Sequence, residues 1–396
     1  QIKKEMDEAV EKGAKINVFP ELCITGYTCA DLFLQETLLE GAKAALREIT
    51  AHTKGKDSLI FVGLPLESKG KLYNVAAVLQ DGKILAFIPK ASIPNYGEFY
   101  EARHFAPGKE EVEDFLFDEV AVPFGTHILL SCDAMEGLGV ACEICEDIWA
   151  PDTPSTAHAL AGATVIVNLS ASNETVGKDS YRADLVKATS ARLLTGYVYS
   201  SAGEGESTQD LVFSGHNMIA ENGTILAQAS RFANESIYGE IDIHRLRHER
   251  RRMNTFVQDA KGYRIIPVHM EKGETSLTRS FDPLPFVPSD ETKRTHRCNE
   301  ILSIQSFGLK KRFEHTGCQR AVVGISGGLD STLALLVTVR AFDMLGLPRE
   351  NIHSVTMPCF GTTDRTYDNA CKLARTLGTA LSEVNIREAV SLHFRD

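Results

Sequence analysis

The chain has 396 residues, 43% hydrophobic and 24% charged, enough for two domains with sizeable cores. No run of about 18 uninterrupted apolar residues reads as a membrane span. A formal net charge of -11 argues against a general nucleic-acid binder but leaves room for a small anion held by a few local donors.

The chain opens "QIKKEMDEAVEKGAKINVFPE", an amphipathic helix that meets its first strand only at "KINVF". A domain starting inside a helix would lack its opening strand, so a piece of a longer protein is expected; "REAVSLHFRD" likewise ends inside a helix. Up to about residue 245, β-rich runs alternate with helical stretches: "SLIFVGLP", "YNVAAVLQDGKILAFIPK", "HILLSC", "LGVACEIC", "ATVIVNLS", "YVYSSAGEG" and "SGHNMIAENGTILAQAS". Asp-Gly in "LQDGKIL" and Asn-Gly in "AENGTIL" are strong hairpin signals, so strand-helix-strand units mix with hairpins in an α/β sandwich.

Residues 246–290 change in texture. The basic cluster "HRLRHERRRM" and the proline-rich "FDPLPFVPSDETKR" predict a linker or arm, its arginines a solvated face or a subunit contact. A second domain, 291–396, starts with the helix "CNEILSIQSFGLKKRFEHTG" and continues "RAVVGIS", "STLALLVTVRAFDMLG", "NIHSVTMP", "TYDNACKLARTLG", "ALSEVNI". That β-α-β-α-β alternation predicts a parallel sheet of nucleotide-binding type.

Nine cysteines spread over both halves read as reduced thiols of a cytoplasmic enzyme. Cys142 and Cys145, in "GVACEICEDIW", form a C-x-x-C, but none of the other cysteines supplies the second C-x-x-C of a structural zinc site. The run is strand-like rather than a helix start, which disfavours a redox pair. On a strand, side chains three apart point to opposite faces, so the two thiols are not expected to share a site. Cys145 then stands alone at a strand end, followed by the polar turn "EDIWAPD", either as an inert buried thiol or as a nucleophile.

Two more strand ends favour the nucleophile. "KINVFPELCITGY" delivers Glu21 and "KILAFIPKASIPNYGEFYE" delivers Lys90. Each alone would be a solvated loop charge. Together they supply what a cysteine needs, a base to take its proton and a cation to favour thiolate and oxyanion. "FPELCITGY", "FIPKASIPNYGEFYEARHF" and "VACEICEDIW" resemble the carbon-nitrogen hydrolase (nitrilase-like) superfamily, which cleaves amides through a thioester. The resemblance implies a nitrilase-like α-β-β-α sandwich over 1–245 with Glu21 as general base, Lys90 as oxyanion stabiliser, Cys145 as nucleophile and Glu101 as a glutamate supporting the lysine. In "NLSASNETVGKDSYR" it extends to a glutamine-using branch, in which Tyr96, Ser172 and Lys178 contact the substrate amino acid.

In the second domain "AVVGISGGLDST" admits two readings. Gly324, Ser326 and Gly328 match the G-x-S-x-G of a serine-hydrolase elbow, but only one strand of the domain precedes Ser326, where that fold needs several. A strand, a glycine-rich turn and a helix start instead suit a phosphate group, and the G-K-[ST] ending of a Walker A loop is missing. "SGGLDS" resembles the pyrophosphate loop of ATP pyrophosphatases. The likeness implies ATP binding by Gly324, Ile325, Ser326, Gly327, Gly328, Leu329, Asp330 and Ser331, magnesium held at Asp330, and Met357, in "HSVTMPCFG", beside the adenine. The domain order resembles the glutamine-dependent NAD synthetases, and implies glutamine, ATP and deamido-NAD as substrates, an ammonia tunnel and a homo-oligomer. Segments completing the ATP and deamido-NAD sites are expected beyond Asp396, so the nucleotide-binding domain is expected to be incomplete. A nitrilase-type amidase fused to an amide ligase of another specificity, and a non-catalytic assembly platform, are the competing readings.

Overall fold

The computed structural model describes residues 1–207 and 211–395 and divides into two units, Gln1–Ser280 and Phe281–Asp396. The first unit holds two sheets. One contains β1 (Ile16–Val18), β2 (Leu59–Ser68), β3 (Lys71–Gln80), β4 (Lys83–Pro89), β5 (Glu113–Phe117) and β6 (Val120–Phe124), ordered β1-β2-β3-β4-β6-β5. The other contains β7 (Ile128–Cys132), β8 (Gly139–Ile144), β9 (Val165–Ser170), β10 (Gly196–Ser201), β11 (Met218–Glu221), β12 (Thr224–Gln228) and β13 (Arg264–Val268), ordered β12-β11-β10-β9-β8-β7-β13.

Alternation along single strands builds the layers. Leu59 and Phe61 of β2 pack with Val140 and Val167 of the other sheet, whereas Ile60 and Val62 pack outward with Met6 of α1 (Ile2–Glu11) and Leu46 and Ile49 of α2 (Glu36–His52). Across the sandwich, Val165 and Val167 face the inner core. Ile166 faces outward among Ala159 of α3 (Pro154–Ala161) and Val186 and Leu193 of α4 (Lys178–Leu193). The result is the α-β-β-α sandwich the sequence predicts.

Both expected hairpins form, with the two turn residues at positive φ: Asp81 and Gly82, then Asn222 and Gly223. A third hairpin, β5–β6, carries no Gly signal, yet Asp118 and Glu119 adopt the same left-handed conformation.

The expected arm is corrected over residues 246–280, which belong to the first unit. Helix α5 (Ile243–Arg252) buries Leu246, and β13 pairs in parallel with β7 at the sheet edge. Within the basic cluster Arg250 is buried rather than solvated, donating to the carbonyls of Ala163 (2.6 Å), Leu194 (3.1 Å) and Leu193 (3.3 Å). These close a helix C-terminus, where orphan carbonyls need donors.

In the second unit α6 (Glu291–Thr316) precedes β14 (Ala321–Gly324), α7 (Leu329–Leu345), β15 (Ile352–Thr356), α8 (Asp364–Leu377), β16 (Ala380–Glu383) and α9 (Arg387–His393). The strands form a parallel sheet, β14-β15-β16, around Ile325, Leu335, Phe342, Ile352 and Ala370.

One glycine of the first unit decides how the end of β1 meets β2. A Cβ on Gly63 would lie 2.2 Å from the Leu22 nitrogen and 2.9 Å from the Glu21 carbonyl carbon, so only glycine admits the Glu21 backbone there. Gly63→Ala should therefore destabilise the first unit by about 1–3 kcal/mol. Gly41→Ala, within α2 and with nothing within 4 Å, should be neutral or stabilising by up to about 1 kcal/mol. Urea unfolding of both variants checks the contrast.

Candidate active site

Glu21, Lys90 and Cys145 each stand just past a strand: β1, β4 and β8. Lys90 has no exposed surface, Glu21 none, Glu101 5% and Cys145 7%, so this cluster of reactive side chains lies inside the sandwich. The Lys90 ammonium donates to Glu21 Oε1 at 2.7 Å and to Glu101 Oε1 and Oε2 at 2.6 and 2.9 Å. Asn74 Nδ2 donates to Glu21 Oε1 (2.7 Å), the Ala171 N–H to Glu21 Oε2 (2.8 Å), and the Tyr27 hydroxyl to Glu101 Oε1 (2.8 Å). Every carboxylate oxygen of the pair thus has a donor, as buried charges require.

The charges set one another. Burial opposes the Lys90 ammonium, but Glu101, Glu21 and then Cys145 outweigh it and hold its pKa well above the usual lysine range. Burial likewise pushes Glu101 up, against the pull of Lys90, with Glu21 adding repulsion. The Cys145 thiol is pushed up by burial and by Glu21, while Lys90 and the Ala171 N–H favour its thiolate. The balance favours the protonated thiol, so a nucleophilic role for Cys145 would call for a nearby base.

The elbow carrying Cys145 departs from the sequence expectation. Strand β8 ends at Ile144, and Cys145 opens a short 3-10 turn with φ of 43°. Simple alternation would set it on the opposite face from Cys142. The left-handed residue swings it back, and both cysteines lie in the core between the sheets. What separates them is environment: burial, Glu143 and Asp147 push the Cys142 thiol up, whereas Cys145 faces Glu21, Lys90 and Glu101.

Two buried polar residues hold the elbow, and sequence reading missed both. Asn168 Oδ1 accepts the Cys145 N–H (3.1 Å) and the Ser170 hydroxyl (2.7 Å), and its amide donates to the Tyr197 hydroxyl (3.1 Å). Tyr197 in turn donates to Glu143 Oε1, and Glu143 Oε2 accepts the Ser155 N–H at 2.8 Å. Asp147 accepts the N–H groups of Ile144 (2.8 Å), Ser92 (2.7 Å) and Ala91 (3.4 Å). Only the position of Asp147, two residues after Cys145, hinted at a role.

The three predicted amino-acid contacts all lie near the elbow. Tyr96, 59% exposed, donates to Glu146 Oε1 at 2.6 Å, and burial, Glu146 and Cys145 push its phenol up. Ser172 is buried. The Lys178 ammonium donates to Asn173 Oδ1 (2.5 Å) and lies 5.3 and 5.5 Å from the ring centroids of Trp149 and Phe99. Burial lowers its pKa, with Cys145 pulling the other way. Arg182, also unanticipated, is buried and anchors this loop, donating to Glu174 Oε1 (2.6 Å) and to the Asn173 carbonyl (3.0 Å). An open groove of about 860 Å³, lined by Glu110, His127, Lys261, Tyr263 and Arg264 among others, includes none of the triad.

In the second unit the glycine-rich turn folds on itself. Gly328 N donates to Ser326 Oγ (3.3 Å), Ser326 N to Ser331 Oγ (3.2 Å), and Ser331 Oγ to the Gly328 carbonyl (3.2 Å). Gly327 has φ of 79°, and a Cβ there would meet the Thr366 carbonyl oxygen at 1.9 Å. Ile325 is buried and pins the turn to the sheet, whereas Leu329 and Asp330 are exposed at the start of α7. Half-exposed Met357 brings its Cε to 3.8 Å from where a Gly324 Cβ would stand.

The carbon-nitrogen hydrolase profile matches residues 1–251, and the NAD synthase profile residues 301–395. The glutamine-dependent NAD(+) synthetase of Mycobacterium tuberculosis is 39% identical over 393 residues, 96% of this chain and 58% of that protein. The Aquifex aeolicus enzyme of the same name is 30% identical over 397 residues, 100% of this chain and 64% of that protein. This chain thus spans roughly three fifths of the length of these relatives. A solved glutamine-dependent NAD(+) synthetase from Cytophaga hutchinsonii superposes with a TM-score of 0.54 at 22% identity, over 99% of this chain and 62% of that one, a likeness of fold.

Buried carboxyls give the first unit a pH signature. Burial, then repulsion from Asp147, pushes Glu143 up to about 7; burial pushes Asp147 up to about 6 against its backbone donors. A carboxyl with a raised folded pKa contributes stability that is full below its unfolded pKa and is lost as pH rises through the folded value. Glu143→Gln should therefore gain stability relative to the wild type between about pH 5 and about pH 8 in denaturant titrations. A difference that stays constant with pH contradicts the assignment.

Proposed function

Because the chain belongs to the carbon-nitrogen hydrolase family, we propose that its first unit hydrolyses the side-chain amide of glutamine through a thioester on Cys145. The second unit, in this reading, uses ATP to adenylate deamido-NAD, which the released ammonia converts to NAD. The observation that carries the glutaminase half is the Lys90 ammonium held between Glu21 and Glu101 beside a buried Cys145.

Glu21 takes the thiol proton as Cys145 Sγ attacks the amide carbon, and the carbonyl π electrons move onto oxygen. Lys90, already charged and desolvated, stabilises that oxyanion without reorganising. As the tetrahedral intermediate collapses, the C–N bond breaks and the proton passes from Glu21 to nitrogen, releasing ammonia. Water then gives a proton to Glu21 and attacks the thioester carbon. The C–S bond breaks, the proton returns to sulfur, and glutamate leaves. Glu101 stays on Lys90 throughout, keeping the ammonium charged and in place. Lys178, Tyr96 and Ser172 hold the α-amino acid end of the substrate. The two aromatic faces beside Lys178 fix an otherwise flexible ammonium.

In the second unit the turn from Gly324 to Ser331 offers backbone N–H groups and two hydroxyls at the start of a 17-residue helix, which suits a pyrophosphate. Exposed Asp330 would hold the accompanying Mg2+, whose charge offsets that of the phosphates. Half-exposed Met357 would make an apolar contact with adenine. A homo-oligomer with an enclosed ammonia path, in the cytoplasm, belongs to the same proposal, since ammonia at neutral pH is mostly protonated and diffuses away.

Glutamate release from glutamine tests the first half. Cys145→Ala should lower it by about a thousandfold or more, and Cys142→Ala should leave it within about threefold. Trp149 is the only tryptophan, so adding glutamine to the Cys145→Ala protein should change its emission. Lys178→Ala should weaken that titration about tenfold, at a cost of about 1.4 kcal/mol. For the second half, Gly327→Ala should abolish ATP-dependent pyrophosphate release with deamido-NAD. Pyrophosphate release with a different carboxylate alone would replace the NAD reading with that of another amide ligase.

A further inference from the structure

We infer that Asp147 is a positioning residue that fixes the distance between nucleophile and oxyanion stabiliser, an inference that rests on the glutaminase reading above. Its carboxylate is buried and forked. Oδ2 accepts the N–H of Ile144 (2.8 Å), the residue immediately before Cys145, and also the Ala91 N–H (3.4 Å). Oδ1 accepts the Ser92 N–H at 2.7 Å. Ala91 and Ser92 are the two residues directly after Lys90.

One side chain therefore joins the end of β8 to the end of β4. These strands lie in different sheets, so no ladder hydrogen bond sets their relative position. Apolar packing between the sheets is non-directional, whereas three N–H donors converging on one carboxylate are directional. Asp147 makes no hydrogen bond to the triad side chains, and its hydrogen bonds go to backbone alone. Its charge interacts directly with Lys90, and its remaining effect passes through where it puts Cys145 and Lys90. A neutral amide cannot reproduce the fork, because one oxygen would become an NH2 group facing an N–H donor.

The first measurement is alkylation of Cys145 by iodoacetamide as a function of pH, which needs no glutamine and so reads thiol reactivity separately from the substrate assignment. Cys142→Ala removes the nearby thiol as a confounder. In that background Asp147→Asn should alkylate at Cys145 about tenfold more slowly at neutral pH, its profile shifted to higher pH, because Lys90 no longer sits where it favours the thiolate. For glutamine hydrolysis kcat should fall by about a hundredfold with KM within about threefold, the mark of lost alignment rather than lost binding. Trp149 emission and near-UV circular dichroism report whether the variant is folded. If it is not, Asp147→Glu decides: it retains both oxygens but adds a methylene, and should shift the alkylation profile in the same direction. A folded variant, Asn or Glu, with wild-type alkylation overturns the inference. Wild-type protein that alkylates as described yet does not hydrolyse glutamine would overturn the substrate reading while leaving the positioning role standing.

Discussion

Everything in the first unit answers to one constraint, a lysine ammonium with no exposed surface. Such a charge is tolerable only when paired and fully hydrogen-bonded, and removing one partner of a buried pair costs about 3–5 kcal/mol. Lys90 meets the condition with two carboxylates, and each carboxylate meets it with its own donors from Asn74, Ala171 and Tyr27. The neighbouring Cys145 thiol is pushed up first by burial and then by Glu21, with Lys90 pulling the other way. The same arrangement that is costly to fold would, in the proposed reaction, meet a transition state in which negative charge moves onto oxygen.

Geometry follows from that arrangement. Gly63 has no Cβ because the Glu21 backbone occupies the space. Cys145 takes a left-handed conformation, uncommon for a residue with a side chain. That conformation persists because Asn168 holds the Cys145 N–H and Asp147 the Ile144 N–H. Backbone strain at one residue is secured by polar groups donated from several elements, a division of work common where a reactive side chain must face an unnatural direction for its strand.

Much of this was legible in the sequence, and the part that was not has identifiable physical causes. Strand ends are visible as apolar runs meeting polar turns, so Glu21, Lys90 and Cys145 could be singled out and their chemistry argued. Alternation failed at Cys145 because a single left-handed residue reverses the facing that period two predicts. The arm was misread because β13, "RIIPV", is short and contains Pro267; as an edge strand bonded on one side only, it tolerates the missing N–H. The β5–β6 hairpin was missed because Asp118-Glu119 supplies the turn without a glycine. Asn74, Asn168 and Arg182 left no local trace, since a buried polar residue becomes meaningful only through partners distant in sequence.

The central claim, that Cys145 becomes covalently acylated by glutamine with Lys90 and Glu21 beside it, is tested most directly by trapping the intermediate. Acid quenching during turnover, followed by proteolysis and peptide mass spectrometry, should find a γ-glutamyl group on the peptide carrying Cys145. The adduct should persist in Cys142→Ala and be absent in Cys145→Ala. Glutamine hydrolysis that continues in Cys145→Ala, or an adduct carried by any other residue, would contradict it.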